Sequence, residues 1–143
     1  MKSIQLALIA GLALSTTPAF AKKVRIKHAS LAPKGSPWHK AMQKVGQRWK
    51  KASGGKIKLT IYPGGVQGNE GDMLRKIRIG QLHSATLTGL SLGNITKKTM
   101  ALQLPMTFAS YEELDYVRGK LAPEIEKKMS DAGFIVLTWG DAG

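Results

Sequence analysis

Val24, Ile26 and His28 alternate with Arg25 and Lys27, and this period of two predicts a half-buried strand. Ser36-Pro37 then supplies an N-cap and a first-turn proline. Trp38, Met42, Val45, Trp49 and Ala52 follow at helical spacing, which predicts a helix with one face toward a core. Ser53-Gly54-Gly55 ends it, because glycine takes the left-handed conformation at little cost. Ile57, Leu59 and Ile61 alternate with Lys58 and Thr60 as a second strand, stopped by Pro63-Gly64-Gly65. Asn69 with Asp72 opens a second helix, whose apolar face is Met73, Leu74 and Ile77 and whose stop is Gly80. Leu82 to Leu87 reads as a short third strand, followed by the glycine-spaced stretch Gly89 to Gly93. Ser110 with Glu113 makes a capping box before a helix over Tyr111 to Arg118. Leu121, Ile125 and Met129 predict one more amphipathic helix, and Phe134 to Trp139 a buried strand.

Strands alternating with helices imply an α/β fold, a mostly parallel sheet with helices on both faces. In such sheets the ligand crevice lies at the carboxyl ends of the strands. Those ends are His28 to Ser36, Tyr62 to Glu70, Thr88 to Ser91 and Trp139 to Gly143. The chain stops directly after its last expected strand, so the domain reads as incomplete at the C-terminus.

Residues 1–21 read as an address. Lys2 gives a positive start, Ile4 to Leu14 is an apolar run, and Ala19-Phe20-Ala21 places small residues for cleavage after Ala21. The run is too short to span a membrane, which takes about 20 apolar residues. No later segment approaches that length, so residues 22–143 are expected to be exported and not membrane-spanning.

Charge changes the picture further. The 143 residues carry a formal charge of +13, but residues 22–69 hold twelve Lys or Arg and no Asp or Glu, while residues 70–143 hold nine of each. In a cytoplasmic protein that stretch would suit nucleic acid. Behind an export signal the available anions are carboxylate solutes, lipid headgroups and cell-wall polymers, and no nucleic-acid partner is expected. Lys40, Lys44, Lys50 and Lys51 lie on a helix whose opposite face is apolar, so they read as a solvated face or as a binding patch.

Catalytic chemistry finds no foothold. The absence of cysteine excludes disulfides, thiolate zinc sites and thiol nucleophiles. His28, His39 and His83 lack the spacing that puts two ligands on one helical face, so no metal is expected. Gly64 to Gly71 is neither a Walker A loop nor GxGxxG; between a strand and a helix start it reads as an anion cradle or as a tight turn. There is no nucleophile elbow, and Glu112, Glu113 and Asp115 complement a helix dipole. Neither an enzyme nor a cofactor is expected. Trp38 belongs at the mouth of the crevice, and Trp49 in the core.

In order along the chain stand Lys27-His28-Ala29-Ser30, Ser36-Pro37-Trp38-His39-Lys40, Ser53-Gly54-Gly55-Lys56-Ile57 and Tyr62-Pro63-Gly64-Gly65 with Gly68 and Glu70. Ile79-Gly80-Gln81-Leu82, Leu104-Pro105-Met106-Thr107-Phe108 and Gly133-Phe134-Ile135-Val136-Leu137-Thr138-Trp139 complete the series. Together they resemble the DctP-type solute-binding proteins of tripartite ATP-independent periplasmic (TRAP) transporters, across nearly all of residues 24–143. The resemblance implies a type II periplasmic-binding-protein fold in which two α/β lobes close on a small organic acid. Residues 22–143 would be a truncated N-terminal lobe. It also implies a periplasmic receptor that delivers its solute to membrane permease subunits. The arginine that pairs with the solute carboxylate in this family is expected outside the chain. His83 stands where the family is usually acidic, and Gln67 where it is usually apolar.

On the family positions the ligand-binding candidates are Lys27, His28, Trp38, Glu70, Thr88 and Gly89. Trp38 would stack on an apolar or aromatic solute; Glu70 would accept from a solute hydroxyl or amine, or only cap its helix. The competing reading is a basic exported protein that binds anionic envelope polymers through residues 22–69 and has no part in transport.

Overall fold

A computed structural model of the chain describes residues 23–140. The expected leader, residues 1–21, lies outside the described residues. Strand β1 (Val24–Ser30) is central, with β2 (Ile57–Tyr62) on one side and β3 (Ser84–Thr86) on the other, both parallel to it. The register pairs Val24 with Ile57 through Ala29 with Tyr62, and His28 with Ser84 through Ser30 with Thr86. Parallel neighbours need crossover connections, and helices α1 (Pro37–Ala52) and α2 (Glu70–Arg78) provide them.

Alternation along β1 sends Ile26 and His28 to one face and Ala29 to the other. Helix α1 covers the first face: a Cβ built on Gly46 would sit 3.1 Å from Leu59 Cβ, so glycine permits the close approach. Trp49 and Ala52 meet Ile26 and Ile57 around an open hollow. No residue of α1 is fully buried, and Trp49 is therefore half-buried, not the core residue that its spacing implied. The compact core lies on the opposite face, under α2. There Ala29, Met73 and Leu82 are buried, with Tyr62, Ile77, Ala85 and Leu87 packed against them.

The helix starts follow the sequence closely. Ser36 Oγ accepts from the His39 N–H at 3.2 Å, ahead of Pro37. Ser36→Ala is expected to cost about 1 kcal/mol, read as a lower urea midpoint at unchanged slope. At α2, Asn69 Oδ1 accepts from the Asp72 N–H (2.9 Å) and Asp72 Oδ2 accepts from the Asn69 N–H (3.2 Å), a reciprocal capping box.

Three expectations are corrected. The helices foreseen over Tyr111 to Arg118 and Leu121 to Met129 are one helix, α4 (Tyr111–Asp131), after a short α3 (Gly89–Leu92) and a 3-10 segment (Lys97–Gln103). Pro123 removes one N–H from α4, but burial of Ile125 and Met129 carries the helix through. The third strand pairs only over Ser84–Thr86, less than the stretch from Leu82 to Leu87. Phe134 to Trp139 has no regular secondary structure and forms no strand, and Ile135 and Leu137 stay 82% and 71% exposed. A strand exists only when a neighbour takes up its N–H and C=O groups, and no described strand does. Phe134 instead lies under the Arg78 guanidinium, 5.4 Å from ring centre to charge, and Trp139 Nε1 donates to Glu126 at 2.7 Å.

Candidate functional site

The carboxyl ends of the three strands open into loops that are tied to one another. The Gly64 N–H donates to the Ala32 carbonyl (2.9 Å) and the Gly65 N–H to the Ser30 carbonyl (3.0 Å), lacing the loop after β2 to the loop after β1. Both glycines have positive φ, 67° and 73°, which other residues rarely adopt. The loop after β1 is closed from within: Ser30 Oγ accepts from the Ala32 N–H, and His39 Nδ1 from the Gly35 N–H.

The glycine-rich loop before α2 behaves as a turn. Its Gly68 N–H donates to the Gly65 carbonyl and its Asn69 N–H to Asp72, while Lys76 Nζ holds the Gln67 carbonyl (2.8 Å) and side chain (3.1 Å). Glu70 and Asp72 already supply negative charge to the start of α2. Arg75 and the Asn69 N–H hold the Asp72 carboxyl below its ordinary range. An anion gains little there.

Glu70 is buried, and its carboxylate draws in the loop after β3. Oε1 accepts from the Thr88 N–H (2.7 Å), Oε2 accepts from Thr88 Oγ1 (2.7 Å), and Ser91 Oγ donates to Oε2 as well. Thr88 is also the N-cap residue of α3. Gly89, next along, is backed by Gln103, whose amide occupies the place a side chain would take. Glu70, Thr88 and Gly89 therefore form one structural unit, joined by Ser91, the last residue of the expected strand-end stretch, and by Gln103, which no local sequence pattern flagged. Trp38 stands in the first turn of α1, 38% exposed, with its indole against Gly140.

Lys27 and His28 lie lower. His28 sits two residues before the end of β1 and is 3% exposed, with Nδ1 2.9 Å from Ser84 Oγ and Nε2 3.1 Å from Thr86 Oγ1. Burial pulls its pKa down to about 4, so the ring is neutral at ordinary pH. The Lys27 N–H donates to His83 Nδ1 at 3.0 Å. Of the six candidates, four line the carboxyl edge and two belong to the sheet beneath it. The polar alternation Ser84, Thr86 was the available signal for the pair that partners His28. Among the described residues no cluster of three or more His, Asp or Glu could hold a metal.

The model of bacterial extracellular solute-binding protein family 7, the DctP family, matches residues 28–143. The chain belongs to the DctP family. A curated solute-binding protein of Roseobacter denitrificans is 29% identical over 118 residues, covering 82% of this chain and 36% of the relative. A TRAP periplasmic solute-binding protein of Ochrobactrum anthropi superposes with a TM-score of 0.72 at 30% identity, over 80% of this chain and 36% of that one. One from a Bradyrhizobium species, solved with galacturonate, gives 0.76 at 29% identity, over 84% and 40%. The chain thus spans roughly two fifths or less of the DctP proteins it matches. Their fold includes the parallel sheet and flanking helices described above, and no described helix is long and apolar enough to cross a membrane.

Proposed function

We propose that this chain is part of an extracytoplasmic receptor that captures a small organic acid and passes it to TRAP-type permease subunits. The observation that carries the reading is that DctP relatives at 25–29% identity were solved holding sugar acids: D-glucuronate in the Pseudomonas putida protein and galacturonate in the Bradyrhizobium one. Export through cleavage after Ala21 belongs to the same proposal.

In this reading the solute lies against the carboxyl edge of the sheet, with Trp38 offering an aromatic wall and Thr88 and Gly89 a polar one. Stacking of a sugar-acid ring on an indole suits its apolar face, while a few polar groups fix orientation. Glu70 holds the Thr88 wall in place, and Lys27 and His28 support it from below. A second α/β lobe closing over this edge would exclude water and strengthen each polar contact.

Thermal shift with glucuronate, galacturonate, galactonate and succinate, on the product of the complete reading frame, tests the proposal. At a hundredfold excess over Kd, one of these acids should add about 2.7 kcal/mol to stability and raise Tm by several degrees. Trp38→Ala should remove that rise while leaving the unliganded Tm within about two degrees. No rise with any of the carboxylates, or a rise that survives Trp38→Ala unchanged, would overturn it.

A further inference from the structure

The outward side of α1 carries Lys40, Lys44, Arg48 and Lys51, at steps of four, four and three residues. At 3.6 residues per turn they fall in one row about 16 Å long, on the side opposite Trp49 and Met42. All four are exposed, and none forms an ion pair among the described residues. Like charges four residues apart weaken a helix, and α1 has no acidic residue to offset them. Beside the row, Lys50 and Lys58 line an open groove of about 450 Å³ with Gln43 and Gln47, again without an acid. The ion pairs of the described chain all lie between residues 72 and 131, away from this face.

We propose that this row docks on anionic phospholipid headgroups, laying α1 flat against a membrane surface. The chemistry favours lipid over an acidic protein. Three of the four cations are lysines, point charges on flexible stems that suit a diffuse negative field. Specific protein interfaces are instead enriched in arginine and aromatic residues and depleted in lysine, and no aromatic side chain stands in the row. With nothing apolar to insert, the contact is electrostatic and reversible. The inference goes beyond solute capture and holds whichever acid is bound: it places the receptor where a membrane partner is met by lateral search.

Co-sedimentation with vesicles tests it, comparing phosphatidylglycerol mixed into phosphatidylcholine against phosphatidylcholine alone. The full chain is used, and its leader, with the positive Lys2, is common to the parent and the glutamine variant and cancels in that comparison. Binding to the anionic vesicles should exceed binding to the neutral ones by at least about tenfold at low salt. It should fall steeply as salt shortens the screening length to about 8 Å at physiological ionic strength. Replacing the row with glutamine, K40Q/K44Q/R48Q/K51Q, should lower the partition by about fivefold per cation. Equal binding to both vesicles, salt-independent binding, or anionic binding unchanged in the glutamine variant would each overturn the proposal. So would capture on polyglutamate beads with no binding to phosphatidylglycerol, which would make the partner an acidic protein.

Discussion

Replacing Glu70 by alanine is expected to lower stability by about 3 kcal/mol. The carboxylate takes hydrogen bonds from the Thr88 N–H, the Thr88 hydroxyl and the Ser91 hydroxyl in a buried place. Hydrogen bonds to a charged group contribute about 1.5–3 kcal/mol, and a buried donor left without a partner costs about 1–3 kcal/mol. The hydroxyls can rotate to other acceptors; the N–H cannot, so its loss dominates. Glu70→Gln keeps an oxygen for that N–H and should cost about 1 kcal/mol. Urea denaturation of the three proteins orders them. An alanine variant as stable as the parent would mean that the loop after β3 is held by something other than Glu70.

Acid should weaken the protein in a window where carboxylates are not yet responsible. The His28 pKa stands near 4 in the folded chain against 6.5 when unfolded, because burial disfavours the charged ring. Below pH 6.5 the unfolded state takes up a proton that the folded state refuses. The contribution of neutral His28 is therefore complete above pH 6.5 and is lost as pH falls toward 4, with no further loss from this group below that. The shift corresponds to about 3 kcal/mol across the window. Asp72 acts lower: its pKa lies below 3.8, held there by Arg75, so its own contribution fades only in stronger acid. Unfolding free energies measured from pH 7 to pH 4 should show the decline in the parent and a flatter profile in His28→Gln. A parent profile that stays level over that range would count against a neutral, buried His28.

What the sequence disclosed and what it withheld divide by range of interaction. Ser36-Pro37, Asn69 with Asp72, and the alternation of Val24 to His28 are local devices whose partners lie within four residues, and each produced the element it predicted. The carboxyl edge of the sheet was legible too, because parallel order follows from strand and helix alternation. The merging of two helices into α4 was not, since Gly119 and Pro123 argue locally for a break and only burial of Ile125 and Met129 overrides them. Phe134 to Trp139 announces an extended apolar segment, but its composition says nothing about a partner. The three donors around Glu70 come from positions 18 and 21 residues away, beyond any periodic signal. Sequence left Glu70 with two roles; the fold gives its oxygens to Thr88 and Ser91.

Strand β1 is the middle of the sheet but the first strand in the chain. Its contact with β3 joins His28 to Ser84, 56 residues apart, and parallel strands cannot be zipped together by a hairpin. The α1 crossover must close before β1 gains β2, and the longer stretch through α2 before it gains β3, each with its loss of chain entropy. The rate of folding is therefore set by loop closure more than by helix formation, although far more of the described residues lie in helices than in strands. Until then β1 presents two open edges. The interval between synthesis of Ser30 and arrival of Thr86 is when a holdase has most reason to cover it.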